Sequence, residues 1–179
     1  AIVENIDVKR KLFSDVENYV APDTILASNT SSLSIASIAA SCQKPERVIG
    51  IHFFNPAQIM KLVEIIKGAK TDQNIVNIAK SLILNLKKEP VIAADAPGFI
   101  VNRVARLYYV EALKILEEGI CDFKTIDTLM EASGFKMGPF KLMDLIGVDT
   151  NYSVTESQYQ LFNFEPRFRP SRIQKQKVD

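Results

Sequence analysis

The sequence contains a single histidine, and this residue could carry acid–base chemistry. His52 lies in one apolar run, and Glu64 follows in a second. Histidine takes up and releases a proton near neutral pH, and a carboxylate beside the ring can fix its tautomer and stabilise the imidazolium. The alternative is a hydrogen-bonded core histidine without a catalytic role. We expect His52 and Glu64 to be hydrogen-bonded neighbours at the ends of adjacent strands.

A second polar group lies in residues 28–33, where a predicted strand gives way to a helix. In open α/β sheets, ligands bind at the carboxyl ends of strands. Hydroxyl and amide groups there can hydrogen-bond a cofactor amide or a substrate carbonyl. The alternative is a plain helix N-cap supplied by Ser31 or Ser32. Asn102, near the start of a later helix, has the same two interpretations, a functional role or a local cap.

Apolar spacing predicts that strands and helices alternate in the first half of the chain. This order is typical of a parallel α/β sheet covered on both sides. Two strands near 47–66 follow each other without a helix, which leaves room for a break in the alternation. The predicted elements are helix 7–20, strand 24–28, helix 31–39, strands 47–54 and 61–66, helix 72–86 and strand 90–94.

The pattern changes to helices alone at Ala96-Pro97-Gly98. We therefore expect an α/β part at 1–96 and an all-α part at 97–179. A basic, weakly patterned tail at 167–177 favours a solvated extension over a binding patch. Glycines punctuate the predicted helices, which are 99–118, 123–133, 138–146 and 149–162.

Length and composition bound the class of protein. The 179 residues suit one domain or one domain and part of another, and 47% hydrophobic content can supply a core. A net charge of +1 gives no reason to expect nucleic acid or anionic membrane as a partner. No apolar run reaches the ~20 residues that cross a bilayer. Isolated Cys42 and Cys121 suggest a reduced cytoplasmic or organelle-matrix protein, and one histidine without a cysteine cluster argues against a metal site.

The first residues suggest that the sequence is a piece of something larger. The chain does not begin with methionine, and apolar Ile2 and Val3 lead directly into a helical pattern. We interpret them as the end of a strand whose preceding partner is missing. The chain is therefore expected to be a fragment or a cut domain.

Six segments of the chain, taken together, point to a known family. They are AIVEN (1–5), ASNTSSL (27–33), GIHFFNP (50–56), MKLVE (60–64), PGFIVNR (97–103) and MGPF (137–140). In this order they closely resemble the L-3-hydroxyacyl-CoA dehydrogenase family, either its 3-hydroxybutyryl-CoA type or the dehydrogenase part of a multifunctional β-oxidation enzyme. The resemblance covers essentially the whole chain up to the tail. It implies the C-terminal part of a Rossmann-like NAD-binding sheet domain at 1–96 and an all-α helical domain for substrate binding and dimerisation at 97–179.

The resemblance also implies roles for individual residues. His52 matches the base that takes the proton of the 3-hydroxyl group as hydride passes from C3 to NAD, and Glu64 matches its acidic partner. Ser31 matches a serine that hydrogen-bonds the substrate oxygen near the nicotinamide. Asn102 matches an asparagine that holds the thioester or 3-oxygen region of the acyl-CoA. The positions that line NAD correspond to Glu4, Lys9, Asn29, Ser31 and Asn55.

One feature of the family is missing from this sequence. The family begins with a βαβ unit that carries G-x-G-x-x-G, whose glycines let the pyrophosphate approach a helix N-terminus. The seven glycines here include no two that lie two residues apart. The sequence therefore contains the residues expected to carry out the chemistry and lacks the glycine loop that binds the pyrophosphate of NAD.

Three functions remain open. The chain can be part of an NAD-dependent 3-hydroxyacyl-CoA dehydrogenase that is active only in a longer protein. It can be a truncated, non-catalytic relative with an oligomerisation or structural role, which a start codon beside Ala1 would favour. The third is a β-hydroxyacid reductase that acts without CoA, but such relatives rely on a lysine in the helical domain. The His52–Glu64 pair favours the first. The helix at 99–118 is apolar on more than one face, so we also expect a homodimer.

Overall fold

The computed structural model describes residues 2–178 and divides into two compact units, with the division after Ile100. The first unit is a mixed α/β layer structure, and the second is built from helices. This confirms the predicted succession of an α/β part and an all-α part. The first unit contains α1 (Ile6–Glu17), β1 (Leu26–Ser28), α2 (Ile35–Ala39), a 3₁₀ turn (Pro45–Arg47), β2 (Val48–Phe53), β3 (Leu62–Lys67), α3 (Gln73–Asn85) and β4 (Glu89–Ala94).

The four strands form one sheet in the order β1-β2-β3-β4. β1 pairs with β2 and β3 pairs with β4 in parallel, whereas β2 and β3 are antiparallel. The expectation of a parallel sheet is therefore wrong at its centre. A parallel return needs a crossover of about a dozen residues or more, and only residues 54–61 join β2 to β3, so the chain reverses instead.

Side chains of β2 alternate between the two faces of the sheet and help to form two cores. Val48 faces α2, and Gly50 lies on the same face, where a Cβ atom would come within 2.8 Å of Ile35. His52 follows in the same alternation. The core on the α2 face includes Leu26, Ile35, Ile38, Val48 and Ile66, and the core on the α3 face includes Ile49, Ile51, Val63, Ile65, Val76 and Ile83.

The predicted start of the second helix is wrong. α2 is capped by Ser34, whose side chain accepts the Ser37 N–H, and not by Ser31 or Ser32. The reason is a separate turn before the helix, in which the Thr30 hydroxyl accepts the backbone N–H groups of Ser32 and Leu33.

The apolar residues at the amino end do not belong to the sheet. Ile2 and Val3 are exposed and lie outside any strand, because they pair with no strand of this chain. Ala1, which belonged to the same prediction, lies outside the described residues. The first helix begins instead at Asn5, whose side chain accepts the N–H groups of Asp7 and Val8.

The second unit follows the predicted helices closely. None of the helices within residues 2–178 is long and apolar enough to cross a membrane. A small core forms around Tyr109, Leu113 and Met143. The elements are α4 (Val101–Glu117), α5 (Phe123–Ala132), α6 (Pro139–Ile146), α7 (Val148–Leu161), a 3₁₀ turn (Pro166–Phe168) and α8 (Arg172–Val178).

The basic tail is not a solvated extension, so that prediction is wrong. Phe168 is buried because its ring stacks on Phe162 with centroids 4.7 Å apart. The Glu117 carboxylate accepts the Ser171 hydroxyl and the Arg172 N–H, which fixes the start of α8. The prediction rested on the charge of the tail, which does not indicate these few contacts.

Candidate active site

His52 and Glu64 face each other across the antiparallel strands β2 and β3. The distance between His52 Nδ1 and Glu64 Oε2 is 2.9 Å. His52 is 6% exposed and Glu64 only 1% exposed. The expected hydrogen-bonded pair on adjacent strand ends is therefore confirmed. A directly opposed cross-strand position is the closest approach that a sheet offers to two side chains.

The surroundings of the pair determine what the imidazole can do. The Ile100 N–H donates to Glu64 Oε1 at 2.9 Å, which holds the carboxylate in place. A carboxylate at Nδ1 favours the tautomer with the proton on that nitrogen, so Nε2 is left as an acceptor. The ring of Phe54 lies 4.5 Å from that of His52, and the ring of Phe99 lies 5.9 Å away, centroid to centroid. This geometry suits an oriented general base.

The segment after β4 reaches His52 through a tight turn. Gly98 and Phe99 both have positive φ, 71° and 46°. Such a backbone is ordinary for glycine but costly for phenylalanine, and it persists only where the surroundings enforce it. The turn buries the Phe99 ring near His52 and aims the next N–H, that of Ile100, at Glu64.

Ser31 lies on the loop that follows β1, and Glu4 organises this loop. Glu4 Oε1 accepts the Thr30 hydroxyl and, at 3.1 Å, the Ser31 N–H. Glu4 Oε2 accepts the ammonium of buried Lys9. Burial acts to raise the pKa of Glu4, but the hydrogen bonds from Lys9, Thr30 and Ser31 outweigh it, so the pKa is lowered. Glu4 is thus an ionised residue that holds Lys9 and the Ser31 loop close together.

The three asparagines have different positions. Asn29 accepts the Phe53 N–H at 2.9 Å through its side-chain oxygen and so joins the loop after β1 to the end of β2, next to His52. Asn55 is exposed on the loop that follows β2. Asn102 is half-buried on the first turn of α4, in the second unit.

Sequence reasoning missed two residues that shape this site. Thr30 is completely buried, and its hydroxyl holds both Glu4 and the turn that contains Ser31. Asp95 accepts the Ser34 hydroxyl and two backbone N–H groups at the start of α2. Thr30 had a visible signal, because it precedes Ser31 in the loop. Asp95 had none, because its partners lie about 60 residues away in the chain.

The residues present fit the reacting end of NAD but not its pyrophosphate. Hydroxyl, amide and imidazole groups lie near the carboxyl ends of β1 and β2, where a nicotinamide ring and a substrate could be oriented. Glycines that bind a phosphate leave the space beside their Cα atoms open for it. At Gly50 this space is occupied by the side chains of Ile35 and Ile66, and at Gly68 by those of Ile35 and Thr71. These two glycines are used for packing within this chain.

Comparisons with known proteins find similar dehydrogenases. The chain is 48% identical over 179 residues to a 3-hydroxyadipyl-CoA dehydrogenase of Escherichia coli K12, with 99% of this chain and 38% of the relative covered. It is 43% identical over 176 residues to the human mitochondrial hydroxyacyl-coenzyme A dehydrogenase, with coverages of 96% and 55%. The crystal structure of (S)-3-hydroxybutyryl-CoA dehydrogenase from Ralstonia eutropha superimposes with a TM-score of 0.94 at 37% identity, with coverages of 99% and 63%.

The chain therefore spans about two fifths to three fifths of the length of these relatives. Two family models match it in succession. The NAD-binding domain of 3-hydroxyacyl-CoA dehydrogenase matches residues 1–96, and the C-terminal domain of the same enzymes matches residues 98–179. NAD is thus the cofactor for which the matched first domain is named. With both models satisfied in order, the chain belongs to the 3-hydroxyacyl-CoA dehydrogenase family.

Proposed function

We propose that this chain supplies the catalytic half of an NAD-dependent 3-hydroxyacyl-CoA dehydrogenase, which oxidises an L-3-hydroxyacyl-CoA to the 3-ketoacyl-CoA. The observation that carries the proposal is the buried hydrogen bond of 2.9 Å between His52 and Glu64. A base of this kind, oriented by a carboxylate, is what removal of a proton from an alcohol requires. The family membership supports the same reaction class.

His52 acts as the general base. Its Nε2 accepts the proton of the 3-hydroxyl group, and Glu64 stabilises the imidazolium that forms. NAD, when bound, accepts the hydride from C3. The low exposure of both side chains keeps water from competing for the proton and strengthens the electrostatic interaction between them.

We propose supporting roles for the remaining predicted residues. Ser31 donates a hydrogen bond to the substrate oxygen as it becomes a carbonyl, and Asn102 holds the thioester or 3-oxygen region. The cofactor side is lined by Glu4, Lys9, Asn29, Ser31 and Asn55. The ionised Glu4, which ties Lys9 to the Ser31 loop, supports this grouping.

The chain alone is expected to bind NAD weakly or not at all. Fixing a cofactor beside a base contributes about 7–11 kcal/mol in well-oriented systems, and without a glycine loop the pyrophosphate has no cradle. Residues 1–96 are therefore proposed to be a partial NAD-binding domain. Turnover requires the glycine-rich half in the same protein or assembly.

The helical part, residues 97–179, is proposed to bind the acyl-CoA and to form a homodimer. On α4, the apolar side chains of Val104 and Leu107 are 71% and 42% exposed. A helix with apolar side chains on its exposed face is stabilised when a partner covers that face. The two cysteines are free, which supports a reducing compartment such as the cytoplasm or an organelle matrix. Analytical ultracentrifugation that shows only a folded monomer at micromolar concentration would contradict the dimer.

The activity is tested with a chimera in which the glycine-rich βαβ unit with which the family begins, taken from the E. coli relative, is joined ahead of this chain. NADH formation from NAD and 3-hydroxybutyryl-CoA is followed for the 179-residue chain, the chimera and its His52→Ala variant. We expect the unsubstituted chimera to form NADH and the other two proteins to form negligible amounts. A chimera that keeps full activity after His52→Ala would refute the catalytic assignment, and efficient turnover by the isolated chain would refute the need for the glycine-rich half.

A further inference from the structure

We infer that Asp95 is a positioning residue, which fixes the Ser31 loop relative to the His52–Glu64 pair. The functional meaning of this inference rests on the proposed function, because that proposal gives Ser31 and His52 their roles. The structural claim can be tested without turnover. Nothing in the family resemblance or in the sequence pattern assigns a role to Asp95.

The carboxylate of Asp95 makes three hydrogen bonds to one short stretch of chain. Oδ2 accepts the Ser34 hydroxyl at 2.9 Å and the Ala36 N–H at 2.7 Å, and Oδ1 accepts the Ile35 N–H at 3.0 Å. These donors lie at the first turn of α2, three to five residues after Ser31. Hydrogen bonds to an ionised carboxylate are shorter and stronger than those between neutral groups. Asp95 therefore holds the far end of the Ser31 loop.

The backbone on the other side of Asp95 leads directly to the catalytic pair. Asp95 follows β4, and the turn after it is closed by the Phe99 N–H donating to the Ala96 carbonyl at 2.9 Å. Phe99, in its unfavourable positive-φ conformation, then lies against His52, and Ile100 donates to Glu64. A strained turn keeps its shape only if it is anchored, and Asp95 is the side chain at its entrance.

Asp95 thus joins two parts of the site that are distant in the sequence. On one side is the loop that presents Ser31, whose near end is held by Thr30 and Glu4. On the other side is the turn that contacts His52 and Glu64. A neutral or shorter side chain at 95 would leave both parts folded but free to shift by a fraction of an ångström to an ångström. Displacements of that size matter for transfer chemistry.

A purely structural cap has to be distinguished from a positioning residue, and the chain offers a matched control. Glu17 accepts the backbone N–H groups of Gln43 at 2.6 Å and Lys44 at 2.9 Å and pairs with Arg47. It is a carboxylate of the same first unit with the same kind of backbone bonds. Its described partners do not include the Ser31 loop or the turn beside His52. Glu17→Gln should lower stability without moving the site.

The experiment is NMR spectroscopy of the 179-residue chain, in which the single histidine makes the imidazole ¹⁵N and ring-proton signals unambiguous. We compare Asp95→Asn, Glu17→Gln and the milder Ser34→Ala, which removes one of the three bonds to Asp95 and also the N-cap bond to the Ser37 N–H. We expect Asp95→Asn to shift the His52 ring signals by several linewidths, through the altered ring current of Phe99. The Ser31 amide signal should shift as well, through a change in its hydrogen bond to Glu4. Ser34→Ala should cause a smaller change in the same direction, and Glu17→Gln should leave both signals in place.

The inference is overturned if folded Asp95→Asn leaves both signals unmoved, or if Glu17→Gln moves them as much. If Asp95→Asn fails to fold, the His52 ring signals of Ser34→Ala decide, because the lost N-cap bond lies within α2 and not in the turn beside His52. In the chimera, Asp95→Asn should lower kcat about 10²-fold, as misplacement by about an ångström does, with a smaller change in KM. A chimera without any activity would count against the proposed function and leave the NMR result valid.

Discussion

Replacing Glu64 with glutamine removes a charge from the site while keeping the shape of the side chain. The hydrogen bonds that Glu64 accepts include one from His52 Nδ1 and one from the Ile100 N–H, each at 2.9 Å. Glutamine has only one oxygen, so it can accept one of these bonds and must present its NH₂ group to the other. At 1% exposure there is no bulk water to compensate.

Both orientations of the amide damage the site. If the NH₂ group faces His52, the ring must take the opposite tautomer, and Nε2 then carries a proton and cannot accept another. If the oxygen faces His52, the NH₂ group meets the Ile100 N–H, and the imidazolium loses its counter-charge. A positioned general base is worth about 10²–10⁴ in rate, so we expect kcat of the chimera to fall by that factor, which is about 2.7–5.4 kcal/mol of barrier.

The assay is steady-state NADH formation by the chimera with Glu64→Gln, beside Glu17→Gln as a control. The control is expected to lose stability but to keep its kcat. ¹⁵N spectra of His52 report the tautomer independently. A Glu64→Gln chimera whose kcat stays within about threefold of the parent, well short of the contribution of a general base, would show that the pair is structural and the reasoning is wrong.

Three further predictions concern stability, each measured by denaturant unfolding. For Glu17 and Glu117, burial acts to raise the pKa, but hydrogen bonds from neighbouring groups outweigh it and lower the pKa from 4.5. Their stabilisation is therefore complete above that value and is lost as pH falls through the folded pKa. The free energy of unfolding should decline below about pH 4.5, and a flat profile to about pH 3 would contradict this. Gln158 is fully buried, and neither of its amide atoms has a partner among the described residues. Gln158→Met should thus stabilise by about 1–3 kcal/mol, whereas a loss of stability would reveal an overlooked partner. Gly138→Ala would place a Cβ atom 2.4 Å from the Asp127 side chain and 2.5 Å from its Cα. This substitution should lower the free energy of unfolding by about 1–3 kcal/mol or more. An unchanged unfolding midpoint would show that α5 shifts at little cost.

Much of the fold could be predicted from local pattern. The helices after Pro97 were found because their apolar spacing and glycine ends are strong local signals, and the pairing of His52 with Glu64 followed from two apolar runs separated by a short loop. Strand direction was less visible. The antiparallel step between β2 and β3 depends on the length of loop 54–61, which the periodicity of each strand does not report.

The errors share a physical cause, which is that single side chains decided the outcome through distant contacts. Thr30 forms its own turn, so α2 is capped by Ser34 and begins at Ile35, later than predicted. The tail became helix α8 because Glu117, about 55 residues away, accepts its first hydrogen bonds. The role of Asp95 could not be predicted from the sequence for the same reason. Such tertiary hydrogen bonds leave no periodic trace in a sequence.

The most direct test of the central claim follows the hydrogen on C3 of the substrate. The chimera is given NAD and L-3-hydroxybutyryl-CoA deuterated at C3, and the NADH formed is analysed by mass spectrometry, with the His52→Gln chimera in parallel. We predict that deuterium appears in the NADH of the parent chimera and that its rate of formation falls about 10²–10⁴-fold in the variant. NADH without the label, or labelled NADH formed equally fast without His52, would contradict the account.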